Sequence, residues 1–272
     1  MKTNVFHYVV IVLYVVAIVF PLYWLVSTSF KTHLQTFAIP PVWIFTPTLK
    51  NYEEVFVLRD FNPYLLNSVI AATISSLIAA LVASLAAYSF SRYEIRQSDN
   101  LLYFLLSTKM LPPVAVVIPM FVFMSTLRFT NNVLALVILY VAMNLPFAVW
   151  MMKGFFDAMP KEPEEAAQID GCSFIKTFMK IVLPQVIGGI FATFIFIYIY
   201  AWNELVFALV LTYTNVSQTI PVWATGGLTT YRGIMWGESG VVGTITIMPV
   251  LIFAFLVRKH LIRGLTFGVV KG

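Results

Sequence analysis

Few side chains of this 272-residue sequence are equipped for covalent chemistry. The three histidines, His7, His33 and His260, all fall near the ends of apolar runs, so neither paired metal ligands nor a Ser/His/Asp set can be assembled from them. A single cysteine, Cys172, follows a glycine and cannot form an internal disulfide. The stretch Gly171-Cys172-Ser173-Phe174-Ile175-Lys176-Thr177 ends like a phosphate-binding loop but lacks the glycine required before the lysine. We therefore expect no catalytic residue, no metal ligand and no cofactor on this chain, which is not an enzyme by itself.

Two charged residues do lie inside apolar runs, Lys109 and Glu204, where an unpaired charge costs about 2.5–3.5 kcal/mol on insertion scales. Glu204 follows Trp202-Asn203, and this polar cluster supports two readings. It lines a translocation path, with Trp202 stacking on a sugar face and Glu204 and Asn203 bonding hydroxyl groups, or it makes a structural contact with a partner subunit. Asn144, in another apolar run, joins Trp202, Asn203 and Glu204 as a candidate pathway residue. Lys109 lies roughly 12 Å in from one end of its run at 1.5 Å per residue. It snorkels to the surface, pairs with a carboxylate or gates; snorkelling is the preferred reading.

A third chemistry-bearing segment, residues 164–184, is polar and helix-forming between two long apolar runs. Pro163 suits a first helical turn, Glu164 and Glu165 put negative charge there, and Gly171 supplies a stop. Ser173 is placed to cap a second short helix that carries Phe174, Phe178, Ile181 and Val182 on one face, with Lys176 and Lys180 elsewhere. An interfacial helix lying on lipid is one explanation, but mixed charge and the small residues Ala166 and Ala167 favour close packing against protein.

Glu165-Ala166-Ala167, three residues, Gly171, nine residues and Ile181-Val182-Leu183-Pro184 resemble the EAA loop of the membrane subunits of bacterial ATP-binding-cassette importers, with every fixed position filled. The resemblance implies a helix-turn-helix that seats in a groove of an ATPase subunit, and it makes Glu164, Glu165, Ala166, Ala167, Asp170, Gly171, Phe178 and Pro184 the ATPase-coupling residues. ATP and Mg would then bind the partner ATPase.

The elements that must position these residues follow from composition. With 60% hydrophobic and 11% charged residues and a mean hydropathy of +0.88, the chain departs from soluble proteins, in which about 25% of residues are charged. It reads as an all-α polytopic membrane protein. Apolar runs able to span about 30 Å of hydrocarbon occupy 6–30, 65–90, 101–127, 133–152, 186–213 and 241–257, giving six transmembrane helices. The first is too long for a cleaved signal. Pro112, Pro113 and Pro119 must break or bend the third, either for a gated pathway or for packing alone. Cytoplasmic termini put eleven basic residues inside (Lys2, Arg92, Arg96, Lys153, Lys161, Lys176, Lys180, Arg258, Lys259, Arg263 and Lys271) and five outside (Lys31, Lys50, Arg59, Arg128 and Arg232). That bias fits the positive-inside rule. No basic run with interleaved aromatics suggests nucleic acid.

The whole 1–272 is thus expected to form one transmembrane domain with a cytoplasmic coupling loop at 153–185 and a cytoplasmic tail at 258–272. Asn67-Ser68, Pro112-Pro113, Leu145-Pro146-Phe147, Ala201-Trp202-Asn203-Glu204 and the ending 264–272 extend the resemblance to nearly the full chain, which is similar to the smaller six-span permeases of carbohydrate importers. The resemblance implies a bacterial or archaeal cytoplasmic-membrane protein working by alternating access. It also implies a second homologous permease, an ATPase dimer, an extracytoplasmic solute-binding protein and a sugar-like solute, with a tail (Arg263, Lys271) reaching the ATPase interface. The Gly-rich outer segment 225–240 is open between facing the binding protein and helix packing. Rival classes are a secondary transporter, poorly served by Glu204 as the one acid well inside a span, and a non-transporting scaffold.

Overall fold

The computed structural model describes residues 5–230 and 233–266, with side chains described for 6–229 and 233–256. Lys2, Arg232 and Lys271 lie outside the described residues, and of the tail positions Arg258, Lys259 and Arg263 only the backbone is described. The elements in chain order are α1 (Val5–Ser29), α2 (His33–Thr36), α3 (Lys50–Glu53) running into a π-turn (Glu54–Leu58), α4 (Asn62–Arg92), α5 (Ser98–Thr108), α6 (Pro113–Thr126) and α7 (Val133–Asp157). Then come α8 (Glu162–Ile169), α9 (Phe174–Thr177), a second π-turn (Phe178–Val182), α10 (Leu183–Gln185), α11 (Ile187–Trp202), α12 (Val206–Leu211), α13 (Ile220–Gly227), a two-stranded antiparallel ribbon β1 (Thr229–Thr230) and β2 (Gly233–Ile234), and α14 (Trp236–Thr266).

Four helices are long and apolar enough to cross a membrane by themselves, within α1, α4, α7 and α14. Two further helix pairs are apolar and long enough only when taken together, and both are sharply bent: α5 meets α6 at 88°, and the segment Phe174–Gln185 meets α11 at 73°. The first break follows from Pro112-Pro113. A residue before proline is driven out of the helical region, and Pro112 is extended (φ −61°, ψ 129°) while Pro113 starts α6. Pro119, by contrast, is accommodated inside α6. The apolar run 186–213, read from sequence as one span, is not continuous, since its helix ends at Trp202 and restarts at Val206.

The chain divides into two compact units. One comprises the chain up to Pro63 with Val222–Leu251. In it α14 starts earlier than the sixth apolar run, so that Gly237, Gly240 and Gly243 lie within the helix. A Cβ on Gly240 would stand 2.7 Å from the Ser29 backbone nitrogen, and one on Gly237 2.6 Å from the Asn51 side chain. These two glycines therefore serve close helix packing. Asn51 Nδ2 donates to the Ser29 and Lys31 carbonyls at 2.9 and 2.8 Å, closing the end of α1, and Arg59 pairs with Glu238 at 2.8 Å and donates to the Gly227 carbonyl.

The other unit comprises Tyr64–Pro221 and the chain from Ile252 onward. Its axis is α4, whose buried stripe is made of small residues: Ala71, Ala72, Ser75, Ser76, Ala79, Ala80, Ala83, Ser84 and Ala87. The serines return their hydroxyl protons to carbonyls within the helix, as in Ser76 to Ala72 at 2.6 Å, so the stripe is both narrow and polar-satisfied. The core joins this stripe to Leu102 of α5, Ala148, Val149, Met152 and Phe156 of α7, Phe178 and Val182 of the second π-turn, and Ile197 of α11. Thirty-one residues give α4 a length of about 46 Å against roughly 30 Å of hydrocarbon. α4 is therefore longer than the apolar layer, and α8 meets it at its Arg92 end.

Candidate functional site

The polar segment folds as the sequence suggests in outline and differs in the direction its side chains take. α8 begins with Glu162, Pro163 being its second residue, and its first turn carries Glu162, Glu164 and Glu165 near the positive end of the helix dipole. It ends in a Schellman motif: the Cys172 amide donates to Ala167 O and the Gly171 amide to Gln168 O, each at 3.0 Å. Gly171 has φ +81°, and a Cβ there would meet nothing within 4 Å. Backbone handedness, then, and not space, demands glycine. Ser173 stands at the N-cap of α9 in an extended conformation but makes no side-chain cap bond, contrary to its expected role.

Glu164 is turned into the chain. Its Oε2 accepts from Tyr88 Oη at 2.7 Å, and Arg92 reaches its Oε1 through both Nε and a terminal nitrogen at 2.7 Å. The two charged side chains are 6% and 8% exposed. Arg92 also donates to the Met159 carbonyl, and Ser91 beside it donates to Asp157, which pairs with Lys153. Tyr88 packs on Phe156, Phe174 and Phe178 with ring centroids 5.5, 5.5 and 4.9 Å away. Of the apolar stripe expected on the second helix, Phe178 and Val182 are buried in the core, Ile181 is half-buried and Phe174 is 43% exposed. Among the expected coupling residues, then, Glu164 and Phe178 are braces within the chain. Glu165, Ala166, Asp170, Gly171 and Pro184 are exposed and Ala167 is half-buried. Three apolar residues that sequence reasoning passed over complete the outer surface: Ile169 (86% exposed), Ile175 (73%) and Met179 (55%).

The polar residues of the spans form a second constellation centred on α7. Glu204 accepts from Tyr140 Oη at 2.8 Å and from the Phe207 and Ala208 amides at 2.9 and 3.1 Å. Its carboxylate caps α12 and explains why the helix restarts there. Asn203 donates to the Ile199 carbonyl at 2.7 Å, closing α11. Trp202 is 2% exposed and stacks on Tyr198 at 5.7 Å, so its indole is packed inside the chain where the sequence reading had offered it to a sugar. Asn144, buried, donates to the Tyr140 carbonyl at 2.8 Å and accepts from Lys109 Nζ at 2.9 Å. Lys109 therefore reaches the middle of α7 instead of snorkelling outward. Beyond these, Asn131 (φ +55°) accepts from the Tyr213 and Thr214 amides, and Asn67 donates to the Asn215 and Gln218 carbonyls, fixing the loop after α12. Among the described residues no group of three or more His, Cys, Asp or Glu is placed to hold a metal ion.

Residues 77–267 match a family described as "Binding-protein-dependent transport system inner membrane component". Among curated relatives, the chain is 37% identical over 252 residues to the probable ABC transporter permease protein y4oR of Sinorhizobium fredii, covering 93% of this chain and 90% of the relative. It is 36% identical over 269 residues to the trehalose/maltose transport system permease protein MalG of Thermococcus litoralis, covering 96% and 94%. With the diacetylchitobiose uptake system permease protein DasC of Streptomyces coelicolor it shares 30% identity over 258 residues, covering 94% and 93%. A chain from the crystal structure of a bacterial ABC transporter involved in the import of the acidic polysaccharide alginate has the same fold, with a TM-score of 0.78 at 18% identity over 94% of this chain and 95% of that one.

Proposed function

We infer the function from one premise: the chain belongs to the family of binding-protein-dependent transport-system inner-membrane components. It is a permease subunit of an ABC importer, an all-α multi-pass membrane protein and a transport component, not an enzyme. Such a subunit works with a partner permease, an ATPase and a solute-binding protein.

The finer reading is ours. The solute is a sugar or sugar derivative, supported by the trehalose/maltose and diacetylchitobiose systems of the relatives. The chain sits in a bacterial or archaeal cytoplasmic membrane with both termini and the 153–185 loop in the cytoplasm. There the turn from α8 to α9 docks on one subunit of an ATPase dimer, which takes the ATP and Mg, and a distinct homologous permease supplies the other half of the path. The tail from 258, with Arg263 and Lys271, approaches the ATPase interface.

The observation that carries this reading is the buried Glu164–Arg92 pair. It ties the coupling helix to the Arg92 end of α4, leaving Glu165, Ala166, Ile169, Ile175 and Met179 outward for a partner. Closure of the ATPase dimer would push on the outward face. The ion pair and the Tyr88 aromatic cluster would pass that displacement to α4, and the Phe178–Val182 packing would pass it to α7 and α11. A side chain that only seated the helix on lipid would not need a guanidinium lock. The test is uptake by proteoliposomes holding the complete importer. We expect labelled trehalose or maltose to accumulate only with internal ATP and external binding protein, and accumulation driven by a proton or sodium gradient without ATP would refute the reading.

A further inference from the structure

The coupling element and the Glu204 cap leave one charged side chain of the spans without a task. The Lys109 ammonium donates to Asn144 Oδ1 at 2.9 Å and lies 4.3 Å from the centroid of the Tyr200 ring. Both partners are uncharged, and among the described residues Lys109 enters no ion pair. Asn144 is itself held by its bond to the Tyr140 carbonyl near the middle of α7, so the ammonium is fixed at mid-span depth and away from the membrane surface. A cation with only neutral partners is not stable against hydrocarbon, so this face of the bundle meets water or polar matter.

Its neighbours indicate which. Tyr200 in the last turn of α11 and Asn203, which caps that helix, are both exposed. An exposed amide at the break between α11 and α12, inside the apolar run 186–213, is as ill suited to lipid as the ammonium is. An ammonium carries three donors, of which Asn144 takes one. Donors aimed at oxygen, an exposed amide and a ring face for C–H groups are the complement of a polyhydroxylated molecule. We propose that Lys109 is a solute-contacting residue of the translocation path. It donates hydrogen bonds to hydroxyl oxygens of the passing solute, with Asn144 as a positioning residue that aims it. The proposal deepens the sugar-permease reading and rests on it.

Two measurements on the complete importer test it. In a Cys172→Ser background, Lys109→Cys should be modified by methanethiosulfonate ethylammonium, detected by mass on this chain, in the nucleotide-free or the ATP/vanadate-trapped state. No modification in either state overturns the proposal. Equilibrium binding of labelled trehalose and maltose to the purified importer without binding protein should weaken about 10- to 100-fold in Lys109→Met, the range for a hydrogen bond to a charged group. It should weaken only a few-fold in Lys109→Arg. A wild type that binds neither sugar overturns the proposal. So does a Lys109→Met variant that binds normally but hydrolyses ATP differently, which would make Lys109 a conformational latch, or one whose two permeases no longer co-purify, which would give it a partner carboxylate. ATP-dependent uptake of either sugar tests the underlying reading separately.

Discussion

Removing one member of the Glu164–Arg92 pair should uncouple ATP hydrolysis from uptake. Both side chains are nearly excluded from solvent, and the carboxylate takes three short contacts, from Tyr88 Oη, Arg92 Nε and an Arg92 terminal nitrogen, each at 2.7 Å. Truncating one partner of a buried ion pair typically costs about 3–5 kcal/mol, because the other charge is left without compensation. Arg92→Met strands the Glu164 carboxylate with only Tyr88 Oη, and Glu164→Leu strands the guanidinium with neutral Ser91 and Met159 partners. At 1.4 kcal/mol per decade, that loss shifts the seating of α8 on α4 by about two to three and a half decades. Since the outer face of α8 is untouched, ATPase subunits should still co-purify. In proteoliposomes each single variant should show ATP hydrolysis within about twofold of wild type and at least tenfold less uptake. The double variant Arg92→Met/Glu164→Leu replaces both charges by apolar groups, which is often close to neutral, and should recover the thermal stability of the complex to within a few degrees. Single variants that transport normally would refute the lock as a transmission element. A double variant as unstable as either single would show that an uncompensated charge is not the cause.

The surface left outward gives a complementary expectation: Ile175→Asp or Met179→Asp, both exposed, should leave membrane insertion and monomer stability unchanged while abolishing co-purification of the ATPase. Gly171→Ala must place a Cβ at φ +81° and should cost about 1–2 kcal/mol in the α8 to α9 turn, with Gly171→Asn milder, read as faster hydrogen exchange of the α8 amides. Glu204→Leu leaves Tyr140 Oη and two amides without their acceptor and should lower the yield of folded protein sharply, whereas Tyr140→Phe removes one bond to a carboxylate, of about 1.5–3 kcal/mol. In both, sugar affinity of the surviving importer should stay at wild type, because Glu204 faces the chain; a change in affinity alone would restore it to the pathway.

Hydropathy made the membrane class and the long helices α1, α4, α7 and α14 legible, because about twenty apolar residues in a row have few other uses. It also exposed the break at Pro112-Pro113, since proline acts through its own ring. The break at 203–205 was invisible in the same way that it is stable. No glycine or proline marks it, and it rests on the Asn203 and Glu204 side chains bonding backbone and on Tyr140, which lies 64 residues away in the chain. The coupling turn was readable at Gly171, where local handedness decides. Which of Glu164 and Glu165 points inward was not, because neighbours on a helix are about 100° apart and the choice is made by Arg92, 72 residues away. The outward Ile175 and Met179 were hidden by a real amphipathic stripe, Phe178 and Val182, that turned out to satisfy the core instead.

Both breaks converge on one turn of α7. Asn144 holds Lys109 at the break between α5 and α6, and Tyr140, one turn earlier, holds Glu204 at the break between α11 and α12; the Asn144 amide bonds the Tyr140 carbonyl, so the two anchors share a backbone. α7 runs without interruption over 25 residues, but Pro146, two residues beyond Asn144, has no amide to offer the Ala142 carbonyl, so the turn that holds both anchors is itself a point where the helix can bend. The other end of α7 and the turn after it meet the Arg92 end of α4, through Ser91–Asp157 and the Met159 carbonyl on Arg92. Two polar anchors one turn apart on a single helix thus tie the α5–α6 and α11–α12 breaks to the same backbone, and Tyr140→Phe and Asn144→Leu should loosen the two breaks independently, read as faster hydrogen exchange next to each.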